Sequence, residues 1–170
     1  MMLDEVDRKI LDLLQRDARM TNTAIAEQVG LSAPSVYERI KKLEARGVIK
    51  GYTALLDAEA LGLPITAFLR VTVNTDAEKE KAGVAHVIEA PEVLECHHVA
   101  GEDGFILKVK VASPQHLERL LAHVRASLNV ARTVSMIVLS TAKEDTRLPV
   151  LLEPRQRAPK ATAGREKVLP

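Results

Sequence analysis

The residues with the clearest chemical pattern are Ser35, Tyr37, Arg39, Lys41 and Lys42, a polar and basic set between apolar residues Val36, Ile40 and Leu43 that recur at i, i+4 and i+7. On a helix this spacing buries the apolar three and turns the polar set outward. Small polar and basic side chains on one helix face suit base edges and phosphates, and the major groove of B-DNA admits a helix of this size. The charge is local: residues 33–50 hold five basic residues against two acidic ones, although the whole chain carries only +1. The alternative is a helical hairpin in an ordinary core with a solvated outer face. A second group, Cys96-His97-His98, has zinc-ligand chemistry, but strand alternation places Cys96 and His98 on one face and His97 on the other. The three cannot converge, so the expectation is a thiol and imidazoles lining an interface or pocket, with no metal and no cofactor. A third group is Gly101-Glu102-Asp103-Gly104, whose Asp-Gly pair favours a hairpin turn through positive φ. No nucleophile elbow, phosphate loop or carboxylate pair with a base beside it is present, which points to binding and away from an enzyme.

The elements that hold these groups follow from periodicity and punctuation. Leu3 to Arg16 reads as a helix with Leu3, Val6, Ile10, Leu13 and Leu14 inward and Asp4, Glu5 and Asp7 complementing its dipole. Thr21 caps a second helix that buries Ile25, Ala26 and Val29 and stops at Gly30. Ser32 caps the third, with Pro34 in its first turn, and so joins the outward polar set at its start. Gly47 ends it. Val48 to Asp57 reads as a strand and Ala58 to Pro64 as a linker.

Beyond the linker the period changes to two. Ile65 to Val73 alternates as a half-buried strand, and Thr75 to Glu78 is a capping box opening a helix that buries Val84, Val87 and Ile88 before Pro91. Val93 to Val99 and Phe105 to Ala112 are strands joined by the Gly101–Gly104 turn. Ser113 and Pro114 open a helix with Leu117, Leu120, Leu121, Val124 and Leu128 on one side, and Val130 to Leu139 closes as a strand. The order βαββαβ is the split, ferredoxin-like arrangement, with both helices on one sheet face and the other face needing cover. The fold class is therefore α+β: an N-terminal three-helix helix-turn-helix, winged-helix-like domain over 1–50, a strand and linker over 51–64, a βαββαβ domain over 65–142 whose uncovered sheet face suits oligomerisation, and a tail over 143–170.

Composition narrows the setting. A single cysteine cannot form an internal disulfide, the acidic N-terminus lacks a signal-peptide pattern, and no apolar run reaches membrane-spanning length, so a cytoplasmic protein without a membrane partner is expected. Two Tyr, two Phe and no Trp leave no base-stacking platform for single strands.

Four segments then carry a family resemblance: residues 3–11 (LDEVDRKIL), Gly30-Leu31-Ser32, residues 39–44 (RIKKLE) and residues 47–52 (GVIKGY). In order and spacing they resemble the DNA-binding domain of the Lrp/AsnC family of bacterial and archaeal transcription regulators, and the similarity continues to about Ala142. The resemblance implies a helix-turn-helix domain on double-stranded DNA, a hinge strand, and a domain that dimerises through its sheet and often assembles dimers into octamers. It implies an amino acid or related metabolite as effector, bound near the turn between the second and third strands at contacts between dimers. On this chain that turn is Gly101 to Gly104. Its glycines allow approach to backbone N–H groups that suit a carboxylate, and Glu102 or Asp103 can pair with an ammonium. His98, Thr133 and Ser135 are the polar candidates to complete the site, the last two from a neighbouring subunit. The turn departs from the family pattern at one position, because Gly104 stands where an aspartate is common and the acid is at Asp103. The alternatives are an unoccupied hairpin and, for the whole chain, a DNA-architectural protein without an effector.

The stretch from Thr146 to Pro170 holds four of the eight prolines and, from Arg155 onward, five basic residues against Glu166. It reads as a solvated tail, with a salt-sensitive DNA-binding arm as the other reading.

Overall fold

The computed structural model describes residues 3–74, 77–101 and 103–150. The chain divides into two units: one formed by residues up to Thr53 together with the segment from Asp145, and one spanning Ala54–Glu144.

The first unit holds α1 (Glu5–Arg16), α2 (Asn22–Val29) and α3 (Ala33–Ala45). Each begins at a side-chain cap: Asp4 accepts from the Asp7 N–H at 2.7 Å, Thr21 from Ala24 at 3.2 Å and Ser32 from Ser35 at 3.4 Å. A side-chain oxygen there satisfies a backbone donor that has no partner inside the helix. Gly30 ends α2 at φ +71, in the left-handed region that glycine enters without a Cβ clash, and this tight exit lets Ser32, the cap of α3, follow two residues later. Ile10, Leu14, Ile25, Ala26 and Val36 form the buried cluster, with Val6, Leu13, Val29 and Ile40 packed on it.

Two expectations change here. Residues 50–57 form no strand among the described residues, and Leu55 and Leu56 stand 80% and 71% exposed. An extended segment becomes a strand only when its N–H and C=O groups pair in a ladder with another segment, and this one forms no such ladder among the described residues. The tail expected from 143 also differs: residues 145–150 belong to the first unit, where Gln15 and Arg8 of α1 hydrogen-bond the backbone of Leu148 and Val150.

The second unit holds β1 (Ile65–Val73), α4 (Ala77–Ile88), β2 (Val93–His98), β3 (Phe105–Val111), α5 (Pro114–Ser127) and β4 (Val130–Ile137). The sheet order is β2-β3-β1-β4 with every neighbour antiparallel, as the βαββαβ reading requires. Ala67, Leu69 and Val71 of β1 and Phe105, Leu107, Val109 and Val111 of β3 point to one face, where Val87 of α4 and Leu117, Leu120, Val124 and Leu128 of α5 cover them. The opposite face carries Phe68, Ile106, Val134 and Met136 among Arg70, Lys108, Glu95 and His97. It is less apolar than a Leu/Val-rich sheet suggests, because the odd positions that hold those residues face the helices.

The expected capping box at Thr75–Glu78 starts at residues outside those described. Ile88 is exposed, not buried; α4 instead turns Gly83 and Val87 inward. A Cβ on Gly83 would lie 2.3 Å from the Ser127 carbonyl oxygen, so only glycine lets α4 approach the end of α5 this closely.

Candidate nucleic-acid interface and ligand site

α3 is positioned from both ends of its inward face. Val36 and Leu43 are fully buried, and between them Arg39 reaches back to α1, where its Nη1 lies 2.7 Å from Asp4 Oδ2 and 2.7 Å from Asp7 Oδ1. Asp4 therefore serves twice, capping α1 with one oxygen and holding Arg39 with the other. The Asp7 N–H first, and then Arg39, hold the Asp4 carboxyl below its ordinary value; the two aspartates in turn raise the guanidinium further. Arg39 thus makes the α1–α3 contact, the alternative to its expected place on the phosphate-facing surface.

The rest of the polar set stays on the outer face. Ser32 and Ser35 join hydroxyls at 2.9 Å at the start of α3, Lys41 lies over the Tyr37 ring at 5.7 Å, and Lys42 is exposed along a groove shared with Ser35, Glu38 and Arg46. Tyr52 closes the C-terminal end through a hydrogen bond to Glu44 at 3.1 Å. A capped, ion-paired helix with two hydroxyls, one phenol and two lysines outward can lie along a groove of duplex DNA. An acid of α1 is the partner that the sequence offers Arg39 as the alternative to a phosphate, and the acidic first turn of α1 is its signal.

The residues around the β2–β3 turn divide differently. By register, His98, Phe105, Val71 and Thr133 form one row across the sheet on the helix-covered face, with Ser135 in the next row beside Leu69. His98 stacks tilted on Phe105, ring centroids 5.0 Å apart. His98 and Thr133 sit on opposite edge strands, three strand spacings or about 14 Å apart, so one subunit alone does not bring them together. The Thr133 hydroxyl oxygen is buried with no hydrogen-bond partner among the described residues.

Asp103 faces the other way. Its Oδ2 accepts from Arg70 Nε at 2.7 Å and Nη2 at 2.6 Å, so β1 pins the turn to the uncovered sheet face. The carboxylate expected to meet an ammonium already meets a guanidinium. Glu102 lies outside the described residues. Positive φ falls on Gly101 at +132 and not on Gly104, which instead lies against β1, donating its N–H to the Val71 carbonyl at 3.0 Å. A Cβ on Gly104 would come within 3.3 Å of Val73, so its glycine serves close approach and not the turn conformation.

Cys96 lies on the helix-covered face beside Leu107, and burial pushes its thiol up. Among the described residues no group of three or more His, Cys, Asp or Glu converges as a metal site, and no helix is long and apolar enough to cross a membrane.

Comparison with known proteins places both units. Residues 3–44 match the AsnC-type helix-turn-helix domain and residues 66–148 the Lrp/AsnC ligand binding domain. The HTH-type transcriptional regulator LrpA of Mycobacterium tuberculosis is 39% identical over 143 residues, covering 84% of this chain and 94% of that one. The leucine-responsive regulatory protein of Escherichia coli is 35% identical over 151 residues, covering 87% and 92%. Among solved structures, a transcriptional regulator from Neisseria meningitidis in complex with L-Met superimposes with a TM-score of 0.82 at 32% identity, over 88% of this chain and 98% of that one. A feast or famine regulatory protein from M. tuberculosis complexed with L-methionine gives 0.80 at 38%, over 86% and 99%. These relatives are named as regulators and not as enzymes. The chain belongs to the Lrp/AsnC family and is a helix-turn-helix transcriptional regulator with a C-terminal ligand-binding domain.

Proposed function

We propose that this regulator reads double-stranded DNA with the outer face of α3, Ser32, Ser35 and Tyr37 meeting base edges and Lys41 and Lys42 meeting phosphates. The observation that carries the reading is the pairing of Arg39 with Asp4 and Asp7, which fixes α3 against α1 while leaving these five side chains outward. Preorganisation of this kind lets a short helix present its contacts without an ordering cost. Lys42→Ala weakens binding to operator and random duplex alike and makes the salt dependence shallower by about one in log–log slope. A folded Lys41→Ala/Lys42→Ala protein with unchanged DNA affinity would remove the assignment.

The working unit is a homodimer, with dimers assembling into octamers. Two features support it: the segment at 50–57, which forms no strand among the described residues and exposes Leu55 and Leu56, and the sheet face bearing Phe68, Ile106, Val134 and Met136. A stable dimer buries about 1,600 Å² or more, and two-fold pairing presents two α3 helices to paired half-sites. Sedimentation as a monomer at micromolar concentration would count against it.

The effector is an amino acid or a related metabolite, bound beside the β2–β3 turn where one subunit's Gly101, Gly104 and His98 face a neighbour's Thr133 and Ser135. Two relatives hold L-methionine in their structures, and the unpartnered Thr133 hydroxyl supports a polar group arriving from outside the subunit. Asp103 contributes through Arg70, by setting the turn. Calorimetry across the twenty amino acids tests this. Heat from at least one, altered in Asp103→Ala, is expected; heat from none would favour a DNA-architectural protein without an effector. The regulator acts where its DNA is, in the cytoplasm.

A further inference from the structure

The outward face of α3 carries one group that a phosphate backbone repels. Val36 and Leu43 are fully buried and mark the inward side of the helix. At about 3.6 residues per turn, Glu38 stands about 200° round from Val36, so it projects from the middle of the outer face. Glu38 is exposed, as are Lys41 and Lys42 one turn further on. A glutamate three or four residues before a lysine ordinarily pairs with it along the helix. Here Lys41 lies instead over the Tyr37 ring at 5.7 Å, and among the described residues no hydrogen bond or ion pair engages the Glu38 carboxylate. That carboxylate lines the groove shared with Ser35 and Lys42.

Hydrogen-bond chemistry separates Glu38 from its neighbours. The hydroxyls of Ser32, Ser35 and Tyr37 donate and accept alike, so they discriminate little between bases. Lys41 and Lys42 only donate, which suits phosphates. Arg39, whose planar fork would suit guanine, is held by Asp4 and Asp7, and α3 contains no Asn or Gln for adenine. Glu44, the other acid of the helix, accepts from Tyr52. Glu38 is therefore the acceptor of the outer face, and an ionised carboxylate accepts only. In the major groove the donors are the N4 amino group of cytosine and the N6 amino group of adenine. Adenine sets its N7 acceptor beside N6, which repels a carboxylate, whereas cytosine presents N4 without one.

We infer that Glu38 is a specificity-determining residue of this regulator, accepting from the N4 amino group of a cytosine in the major groove while Lys41 and Lys42 hold the flanking phosphates; this rests on α3 being the DNA-reading surface. The carboxylate lowers affinity for DNA in general, because at most sites it is dehydrated beside phosphates with no amino group to meet it. Only a cytosine at the right position offsets that cost. Glu38 thus works by rejection, setting wrong sites back further than it draws the right one closer.

Four full-length proteins decide it: wild type, Glu38→Ala, Glu38→Gln and Lys41→Ala/Lys42→Ala. An operator is selected for wild type from a random pool, each of its base pairs is changed singly to the other three, and every protein is titrated with this set and with a random duplex. Wild type prefers cytosine at one position by about ten-fold over the other bases. Glu38→Ala binds all four bases there within about two-fold, keeps the wild-type preferences elsewhere, and holds the random duplex more tightly at low salt. Glu38→Gln moves the preference at that position to adenine, since an amide matches N6 and N7 together. Unchanged preferences in Glu38→Ala at every position, with or without tighter random binding, would mean a solvated carboxylate that only repels DNA, and overturn the inference. A change confined to a position where wild type selects no cytosine overturns it too. If the lysine pair variant loses affinity while Glu38→Ala keeps every preference, α3 stands as the DNA surface and the role of Glu38 fails. If Glu38→Ala loses the cytosine preference while the lysine pair variant binds as wild type, the phosphate assignment fails and Glu38 stands.

Discussion

Arg39 and Arg70 each give their charge to aspartates more than thirty residues away in sequence, and the consequences for the two functional regions are opposite. On α3 the ion pair removes one side chain from the outward set and improves the rest, because the helix it locks still presents Ser32, Ser35, Tyr37, Lys41 and Lys42 at fixed spacing. At the β2–β3 turn the pair removes the acid expected to meet a ligand, and the remaining strand candidates, His98 against Thr133 and Ser135, lie on opposite edges of the sheet. A helix keeps its chemistry together through local periodicity. A turn has no such rule, so its chemistry depends on which strand lies beside it and on a second subunit.

The largest effect is expected from a defect that separates the regions. Gly83→Ala forces a Cβ into the Ser127 carbonyl, and backbone on both sides leaves little room to yield. A loss of about 2–4 kcal/mol is expected in the βαββαβ unit. Amide exchange reads it by region: protection falls in β1, β3 and α5 while α1–α3 hold. Equal loss in both regions would mean that the two do not pack as separate units.

Next in size is a test of what Arg39 does. A phosphate contact and a helix lock differ in their salt signature, since only the first releases counterions. Arg39→Ala lowers the melting midpoint of the helical unit, weakens operator and random DNA several-fold, and leaves the salt slope as in wild type. Lys42→Ala does the reverse, with an unchanged midpoint and a slope shallower by about one. Arg39→Lys does not rescue, because an ammonium lacks the planar fork that engages both aspartates. A shallower slope in Arg39→Ala would return that residue to the DNA surface.

A smaller effect belongs to Arg70→Gln. The pair it breaks is 40% and 18% exposed, and such contacts contribute on the order of 1 kcal/mol or less. Its consequence is local: freed from β1, the turn loses its set position, and effector heat in calorimetry shrinks more than stability does. Unaltered heat would place the effector away from the turn.

These contrasts explain what was legible in the chain. The three helices, their caps at Asp4, Thr21 and Ser32, the Gly30 exit and the inward rows of β1 and β3 all follow from rules that reach no more than four residues. The family resemblance rested on the same local segments. Pairing at long range was not legible. A periodicity of two at 50–57 cannot reveal whether a partner strand is present, Gly104 is glycine because of Val73 thirty-one residues earlier, and Leu11 is buried although it stands outside the inward row that spacing gives α1. The sequence offers Arg39 either a phosphate or an acid of α1, and the fold pairs it with Asp4 and Asp7; the partner of Asp103, Arg70, was set by the fold.

The smallest effect is the acid response of the α1–α3 lock. Asp4 is held below its ordinary 3.8 by the Asp7 N–H and then by Arg39. A carboxyl whose folded value is depressed contributes stability that is complete above its unfolded value and disappears as pH falls through the folded one. The window therefore opens at about pH 4 and extends downward. Because Asp4 is solvent-exposed the contribution is small, and it is best read as a difference between two proteins. Asn caps a helix as well as Asp does but carries no charge for Arg39. Asp4→Asn is therefore less stable than wild type at neutral pH, and the gap between their melting midpoints closes as acid protonates the wild-type carboxyl. Glu144 supplies the matching case in the other unit, held below its ordinary 4.5 by Lys108. Glu144→Gln closes its own gap in the same way without changing the α1–α3 response. A gap for Asp4→Asn that stayed constant down to about pH 3 would show that the cap, and not the charge on Arg39, is what Asp4 contributes.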